Sequence, residues 1–326
     1  MEKKLKLISI SGGFWTGSGA LVGIFSQFEQ YRIVPTEFTL FSHGQFFANL
    51  KHFSENPGSK KNREELKKDL YRFKNFNSRD LPLFYRVLRF SAHKLGYYPK
   101  SIVVRRSYFG KQLGSDYIKA CNVLHDYILA GIKSSTQLNR SQIETFLTNI
   151  FVEISKTYFK GDFSQNTLVF DQMVAPAYFY DFSYFFPSGN LIFVDRNWRD
   201  QYAELRDEIF RMVSNKLSLG VEANGVPLTK EHLHPMRFLE DIRTSIDLQK
   251  TELKDDPNVL WMDFEDMVTH YESEYLDKIL DFIGEDRDSI QMTPSYKADD
   301  SQKNIGKWKD TKWVNEIEKL EKIITQ

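Results

Sequence analysis

An apolar run, Leu5-Lys6-Leu7-Ile8-Ser9-Ile10, stops at a loop of small residues, Ser11-Gly12-Gly13-Phe14-Trp15-Thr16-Gly17-Ser18-Gly19. From about Ala20 the apolar positions fall at Leu21, Ile24, Phe25 and Phe28, the spacing of one helix face. The pattern predicts a strand, a loop of phosphate size and a helix start. Glycines let main-chain N–H groups face inward, and the first amides of the helix together with its dipole attract an anion. A phosphorylated ligand is expected there.

Further along, residues 31–41 read as a second strand, which puts Glu37 and His43 at its carboxyl end. In parallel α/β sheets that end faces the ligand crevice, so both are candidate catalytic groups, with solvation or helix capping as the plainer role for Glu37. Residues 51–165 change texture. Helical spacing recurs at Leu66 and Leu70, at Tyr117, Cys121, Leu124 and Ile128, and at Ile143, Leu147 and Ile150. Apolar strands return at 166–171 and 190–195, ending in Asp171 and Asp195, and the second runs into Arg196-Asn197-Trp198-Arg199-Asp200. A helix near 236–248, a strand at 259–262, one helix from Asp263 through Ile283, a lysine-rich loop and a final amphipathic helix complete the chain. The expected fold is α/β, an open, mostly parallel sheet flanked by helices. It forms a single domain over residues 1–326, with a helical insertion at about 50–165.

Composition narrows the partners. Lys plus Arg and Asp plus Glu both number 44 in 326 residues, so total charge argues for neither nucleic acid nor an anionic membrane. The single cysteine, Cys121, forms no internal disulfide and reads as a small buried side chain in a reducing compartment. Serines and glycines interrupt the first apolar stretch, which is neither a signal segment nor a membrane span, so a soluble, cytoplasmic protein is expected. Guanidinium groups suit phosphate through their fork of donors, which singles out Arg196 and Arg199 at the exit of a buried strand. Arg199 has an alternative as a structural partner of Asp195 or Asp200. Lys100, Arg105, Arg106 and Lys111 in the insertion, and Lys303, Lys307 and Lys309 in the tail, are further cations for an anionic ligand or for plain solvation.

The loop fits neither common nucleotide motif. Gly12 and Gly17 have the glycine interval of a P-loop, but Ser18 and Gly19 stand where its lysine and hydroxyl belong. A dinucleotide fingerprint fails too, because Gly17-Ser18-Gly19 comes late and Gly23 is one position too far.

Four separated stretches together resemble the sulfotransferase family that uses 3′-phosphoadenylyl sulfate, a family of P-loop-like fold. Residues 10–21 resemble the loop around the donor's 5′-phosphosulfate. Residues 192–204, IFVDRNWRDQYAE, resemble the segment that binds its 3′-phosphate. Residues 260–284 resemble the segment written Y-E-D-L with its following helix, and Asn304-Ile305-Gly306-Lys307-Trp308 resembles the loop that folds over the nucleotide. About residues 45–165 are unmatched.

The resemblance implies that Trp15, Thr16, Gly17, Ser18, Gly19, Ala20, Arg196, Gly306 and Lys307 hold the donor. Glu37, with His43 nearby, would serve an acceptor hydroxyl, and no metal is expected. The acceptor is a small molecule or a glycan, with no nucleic-acid partner. Three departures stand out. Trp15 takes the place of a loop cation, Trp198 that of a proline, and Glu204 that of the serine that contacts the 3′-phosphate. The rivals are a P-loop kinase of small molecules, with Asp171 or Asp195 as the acid that holds a metal, and a non-catalytic nucleotide-binding relative.

Overall fold

The computed structural model of the protein describes residues 5–12, 16–37, 45–76, 109–159, 167–214, 222–223, 226–227, 235–288 and 290–324. Five strands form one parallel sheet: β1 Lys6–Gly12, β2 Tyr31–Glu37, β3 Thr167–Asp171, β4 Gly189–Asp195 and, last in the chain, β7 Val259–Asp263. A short antiparallel pair, β5 Glu222–Ala223 and β6 Val226–Pro227, stands apart from it. The order β2-β3-β1-β4-β7 puts β1 in the centre, with β3 on one side and β4 on the other. Such a reversal of strand order opens a crevice at the carboxyl ends of the strands. The expected α/β class with an open parallel sheet is therefore observed.

Local sequence explains these elements. β1 is buried from Leu7 to Gly12, and β3 from Thr167 to Phe170, as fits strands covered on both faces. Helix α1, Ser18–Phe25, packs Leu21, Ile24 and Phe25 into a core with Ile8, Ile10, Val169 and Ile192. Pro35 has no N–H to offer a neighbour and sits in β2, the edge strand, where the register with β3 shifts between Ile33 and Glu37.

Two compact units divide the chain. One spans residues 1–43, 164–183 and 187–326; the other spans 44–163 and 184–186. The second is helical, with α2 Phe46–Glu55, α3 Lys60–Phe76, α4 Phe109–Ser134 and α5 Arg140–Phe159. Its core holds Leu50, Leu66, Leu70, Tyr117, Leu124, Ile128, Leu147 and Ile150, the positions that helical spacing selects. Cys121 is buried there, and desolvation pushes its thiol up to about 12, which makes it an inert packing residue.

The remaining helices include α6 Phe179–Phe185, whose residues are divided between the two units, and, in the sheet unit, α7 Trp198–Ser214, α8 Pro235–Glu252, α9 Phe264–Thr269, α10 Leu276–Ile283, α11 Ala298–Gln302 and α12 Val314–Ile324. One expectation is corrected. The helix expected to run unbroken from Asp263 to Ile283 is interrupted, because His270 leaves helical geometry and a wider turn, Tyr271–Tyr275, intervenes before α10. Asp263 caps α9 as expected, its side chain accepting from the Asp266 amide.

Candidate functional site

The crevice begins where β1 ends. Gly12 pairs with Val194 of β4, and Ile10 pairs with Asp171 of β3, which in turn pairs with Glu37 of β2. The Glu37 main chain thus stands two strands from β1, about 10 Å across the sheet, at the same edge as the glycine loop. A Cβ on Gly12 would lie 1.7 Å from the Thr16 hydroxyl oxygen and 3.0 Å from the Val194 carbonyl oxygen, so the chain folds back on itself there with no room for a side chain. Thr16 is buried. Gly17 adopts φ 91°, and a Cβ on it would lie 2.2 Å from the Phe264 ring. That left-handed geometry starts α1 at Ser18, two residues earlier than apolar spacing alone suggests. No acidic residue stands in the first turn of α1. Among its leading amides, that of Ala20 donates to the Gly17 carbonyl at 2.9 Å, and the dipole makes this end positive.

A second strand end ties the loop down. Gln172, just past β3, has φ 57°, unusual for a residue with a side chain. Its amide nitrogen donates to the Ser18 hydroxyl at 3.1 Å, and its amide oxygen accepts from the Ser11 hydroxyl at 3.3 Å. The single Ser11 hydroxyl proton is shared with the Val174 carbonyl, its nearer acceptor at 2.8 Å, and the Gln172 main-chain N–H donates to the Ile10 carbonyl at 2.8 Å. One residue thus joins the ends of β1 and β3 to the first residue of α1.

Phe264 also borders a cluster of charges. The Arg196 guanidinium sits 5.3 Å from the Phe264 ring centre. Only 4% exposed, it donates to the Glu204 carboxylate at 3.3 Å and to the Asn304 carbonyl at 2.6 Å. Asp200, 1% exposed, lies 4.0 Å from the same guanidinium and accepts from the amides of Gly306 and Trp308, both at 2.9 Å. The tail loop is therefore held by Arg196 and Asp200. Asp195 pairs with Arg243 at 3.5 Å and Lys250 at 3.4 Å. Arg199 pairs with Glu321 rather than with Asp195 or Asp200, and it lies near the rings of Trp198 and Trp308. Glu265 accepts from the Asn197 amide at 3.0 Å; burial raises its pKa, and the nearby Asp263 adds to that rise.

The sequence-predicted residues thus fall into three groups. Thr16, Gly17, Ser18, Gly19 and Ala20 form the end of the loop and the start of α1, with Gly19 exposed. Arg196 and Gly306 join them around Phe264 and Asp200, while Lys307 is exposed and opens the short turn Lys307–Asp310. Lys303 pairs with Asp300 at 2.6 Å, and Lys309 lies over Trp308. Trp15, His43, Lys100, Arg105 and Arg106 lie outside the described residues, as do the side chains of Glu37 and Lys111. Sequence reading missed the roles of Gln172, Asp200 and Phe264. A polar residue just past a buried strand was the available signal for Gln172. Asp200 was visible only as one acid among several, and nothing marked Phe264.

Among the described residues no cluster of metal-binding side chains is found, and no helix is long and apolar enough to cross a membrane. No protein-family model matches the chain, and no curated protein matches its sequence. Among solved structures, the chain is similar to the sulfotransferase STF9 from Mycobacterium avium. Their identity is 9%, the likeness covers 94% of this chain and 68% of that one, and the TM-score is 0.40. It is also similar to the sulfotransferase domain of the Synechococcus PCC 7002 olefin synthase, at 12% identity over 95% of this chain and 90% of that one, with a TM-score of 0.38. Both bear the name of the family that the sequence resembles.

Proposed function

We propose that the chain is a sulfotransferase that moves a sulfuryl group from 3′-phosphoadenylyl sulfate to a hydroxyl of a small-molecule or glycan acceptor. One observation carries the reading. The four stretches that resemble the family are spread from Ile10 to Trp308, yet they converge on one spot: Gly17 and Arg196 both lie against Phe264, and Asp200 holds Gly306 and Trp308. A chance match of short motifs has no reason to converge in space.

The glycine side suits the phosphosulfate. Amides from Thr16 to Gly19, ahead of the Ala20 N–H that already donates to the Gly17 carbonyl, would surround the 5′-phosphate and stabilise charge growing on the oxygen between phosphorus and sulfur. In the transfer, the acceptor oxygen forms a bond to sulfur as the sulfur–bridging oxygen bond breaks, and adenosine 3′,5′-bisphosphate leaves. The acceptor proton passes to a base, the role assigned to Glu37, with His43 as the neighbouring candidate. Trp15 occupies the position of a loop cation, so Lys307 would supply the positive charge near the leaving oxygen.

Incubation with sulfate-labelled donor and a pool of glycans, phenols and sterols tests the reading. Label should appear on an acceptor, and Glu37→Gln should lower turnover at least 100-fold, in the range of general-base catalysis, while donor affinity stays within about twofold. Phosphoryl transfer from ATP with magnesium, and none from the sulfate donor, would replace the reading with a kinase.

A further inference from the structure

Resting on the donor site proposed above, we infer that Glu204 sets how this site treats the ribose 3′ position. Its carboxylate takes Arg196 as counter-ion, so that a 3′-phosphate on the nucleotide adds little to binding. Arg196 lies against the same Phe264 ring as Gly17 of the glycine loop, and its guanidinium is already engaged on several sides. One terminal nitrogen donates to Glu204 at 3.3 Å, the other donates to the Asn304 carbonyl at 2.6 Å, Asp200 lies 4.0 Å away, and one face covers Phe264. One positive charge is thus set against two carboxylates, and the cluster is net negative before any ligand arrives.

The neighbouring guanidinium groups are each engaged by another carboxylate. Arg199 pairs with Glu321, Arg206 with Glu316 at 3.3 Å, and Arg243 shares Asp195 with Lys250, at 3.5 and 3.4 Å. A phosphate dianion aimed at Arg196 would either approach the Glu204 carboxylate or displace it from a nearly buried guanidinium. Both routes are unfavourable, since like charges repel strongly where solvent is scarce. Asp200 cannot swing away to relieve this, because it holds the Gly306 and Trp308 amides. Glu204 has no such second tie to the tail. It is the more exposed of the two carboxylates, its side chain 28% exposed against 1% for Asp200. That makes it the acid whose replacement frees Arg196 without unfastening the loop. A repulsive group of this kind sets specificity as effectively as an attractive one.

Calorimetric titration of the full chain with adenosine 3′,5′-bisphosphate and with adenosine 5′-monophosphate decides the matter. The wild-type chain should bind the two within about threefold of each other, and E204Q and E204S should each move the ratio toward the bisphosphate by about tenfold or more. The monophosphate affinity should hardly change. A wild-type preference for the bisphosphate above about 30-fold, or a ratio unmoved in both variants, overturns the inference but leaves the donor site intact. Binding of neither nucleotide to the wild-type chain overturns both. The wild-type ratio alone is decisive if a variant fails to fold, which its thermal unfolding curve would reveal.

Discussion

Two sets of residues meet at Phe264: one side of the site presents main-chain groups and small side chains, and the other presents charged side chains that already hold one another. The first side, Gly12 through Ala20, is shaped by steric exclusion. A Cβ at Gly12 or Gly17 would collide with Thr16 or Phe264, and Gln172 fastens the helix start to two strand ends. The second side, Arg196 through Glu204 with the tail loop, is shaped by charge pairing. A phosphate near the start of α1 meets the positive end of a helix with no acid in its first turn. A phosphate at Arg196 meets a cation already flanked by acids. A guanidinium in a sequence motif therefore gives no assurance of an anion site, because its neighbours in space decide whether its charge is available.

The sharpest way to break this contrast is at Gly17. Gly17→Ala places a side chain at φ 91° and drives its Cβ into the Phe264 ring. Left-handed geometry costs an alanine about 1 to 2 kcal/mol, and displacing a packed ring adds a similar amount, so a loss of about 3 kcal/mol is expected. Because Gly17 opens the helix start whose amides would hold the 5′-phosphate, affinity for adenosine 3′,5′-bisphosphate should fall more than about tenfold. Thermal unfolding and calorimetry measure the two effects. A variant close to wild type in both would show that the loop is not held in this shape.

Asp200→Asn probes the charged side with a smaller effect. The asparagine oxygen accepts one of the two tail amides, its NH2 group faces the other, and Arg196 loses the acid 4.0 Å away. A cost of about 2 kcal/mol is expected from the unpaired buried donor and the weakened ion pair. Hydrogen exchange at Gly306 and Trp308 should speed up while nucleotide affinity falls less than for Gly17→Ala. An equal fall in affinity would mean that the charged side grips the ligand as firmly as the loop does.

The sequence made the frame of this site readable and left its fastenings hidden. Apolar runs ending in glycine or aspartate marked β1, β3, β4 and β7, since a buried parallel strand has little other way to be written. Helical spacing marked the insertion for the same reason. Strand order and the meeting of distant loops depend on tertiary contacts that no local pattern encodes. Arg196 was legible as a guanidinium at a strand exit, but its pairing with Glu204 and its hold on Asn304 needed the fold. Arg199 illustrates the limit further, because its partner Glu321 lies in the last helix, 122 residues along the chain. Gln172 was missed because neither its left-handed φ nor its reach to Ser18 follows from its neighbours in sequence.

Gln172→Gly separates shape from stability on the loop side, and its effect on folding is the smallest of the three. Glycine adopts φ 57° without strain and so recovers about 1 kcal/mol. Against that, it adds about 0.5 to 1 kcal/mol of freedom to the unfolded chain. It also deletes the hydrogen bond to Ser18, worth about 1 kcal/mol, and the longer, shared one from Ser11, worth about 0.5 to 1 kcal/mol. The net change in stability should be a loss of about 1 to 2 kcal/mol. Ser18 loses its link to the end of β3, so the helix start is less firmly placed. Affinity for adenosine 3′,5′-bisphosphate should then drop about threefold to tenfold, since disorder removed on binding lowers affinity. Unchanged affinity would show that the helix start keeps its position without Gln172, and would leave the strained residue as a feature of the strand end alone.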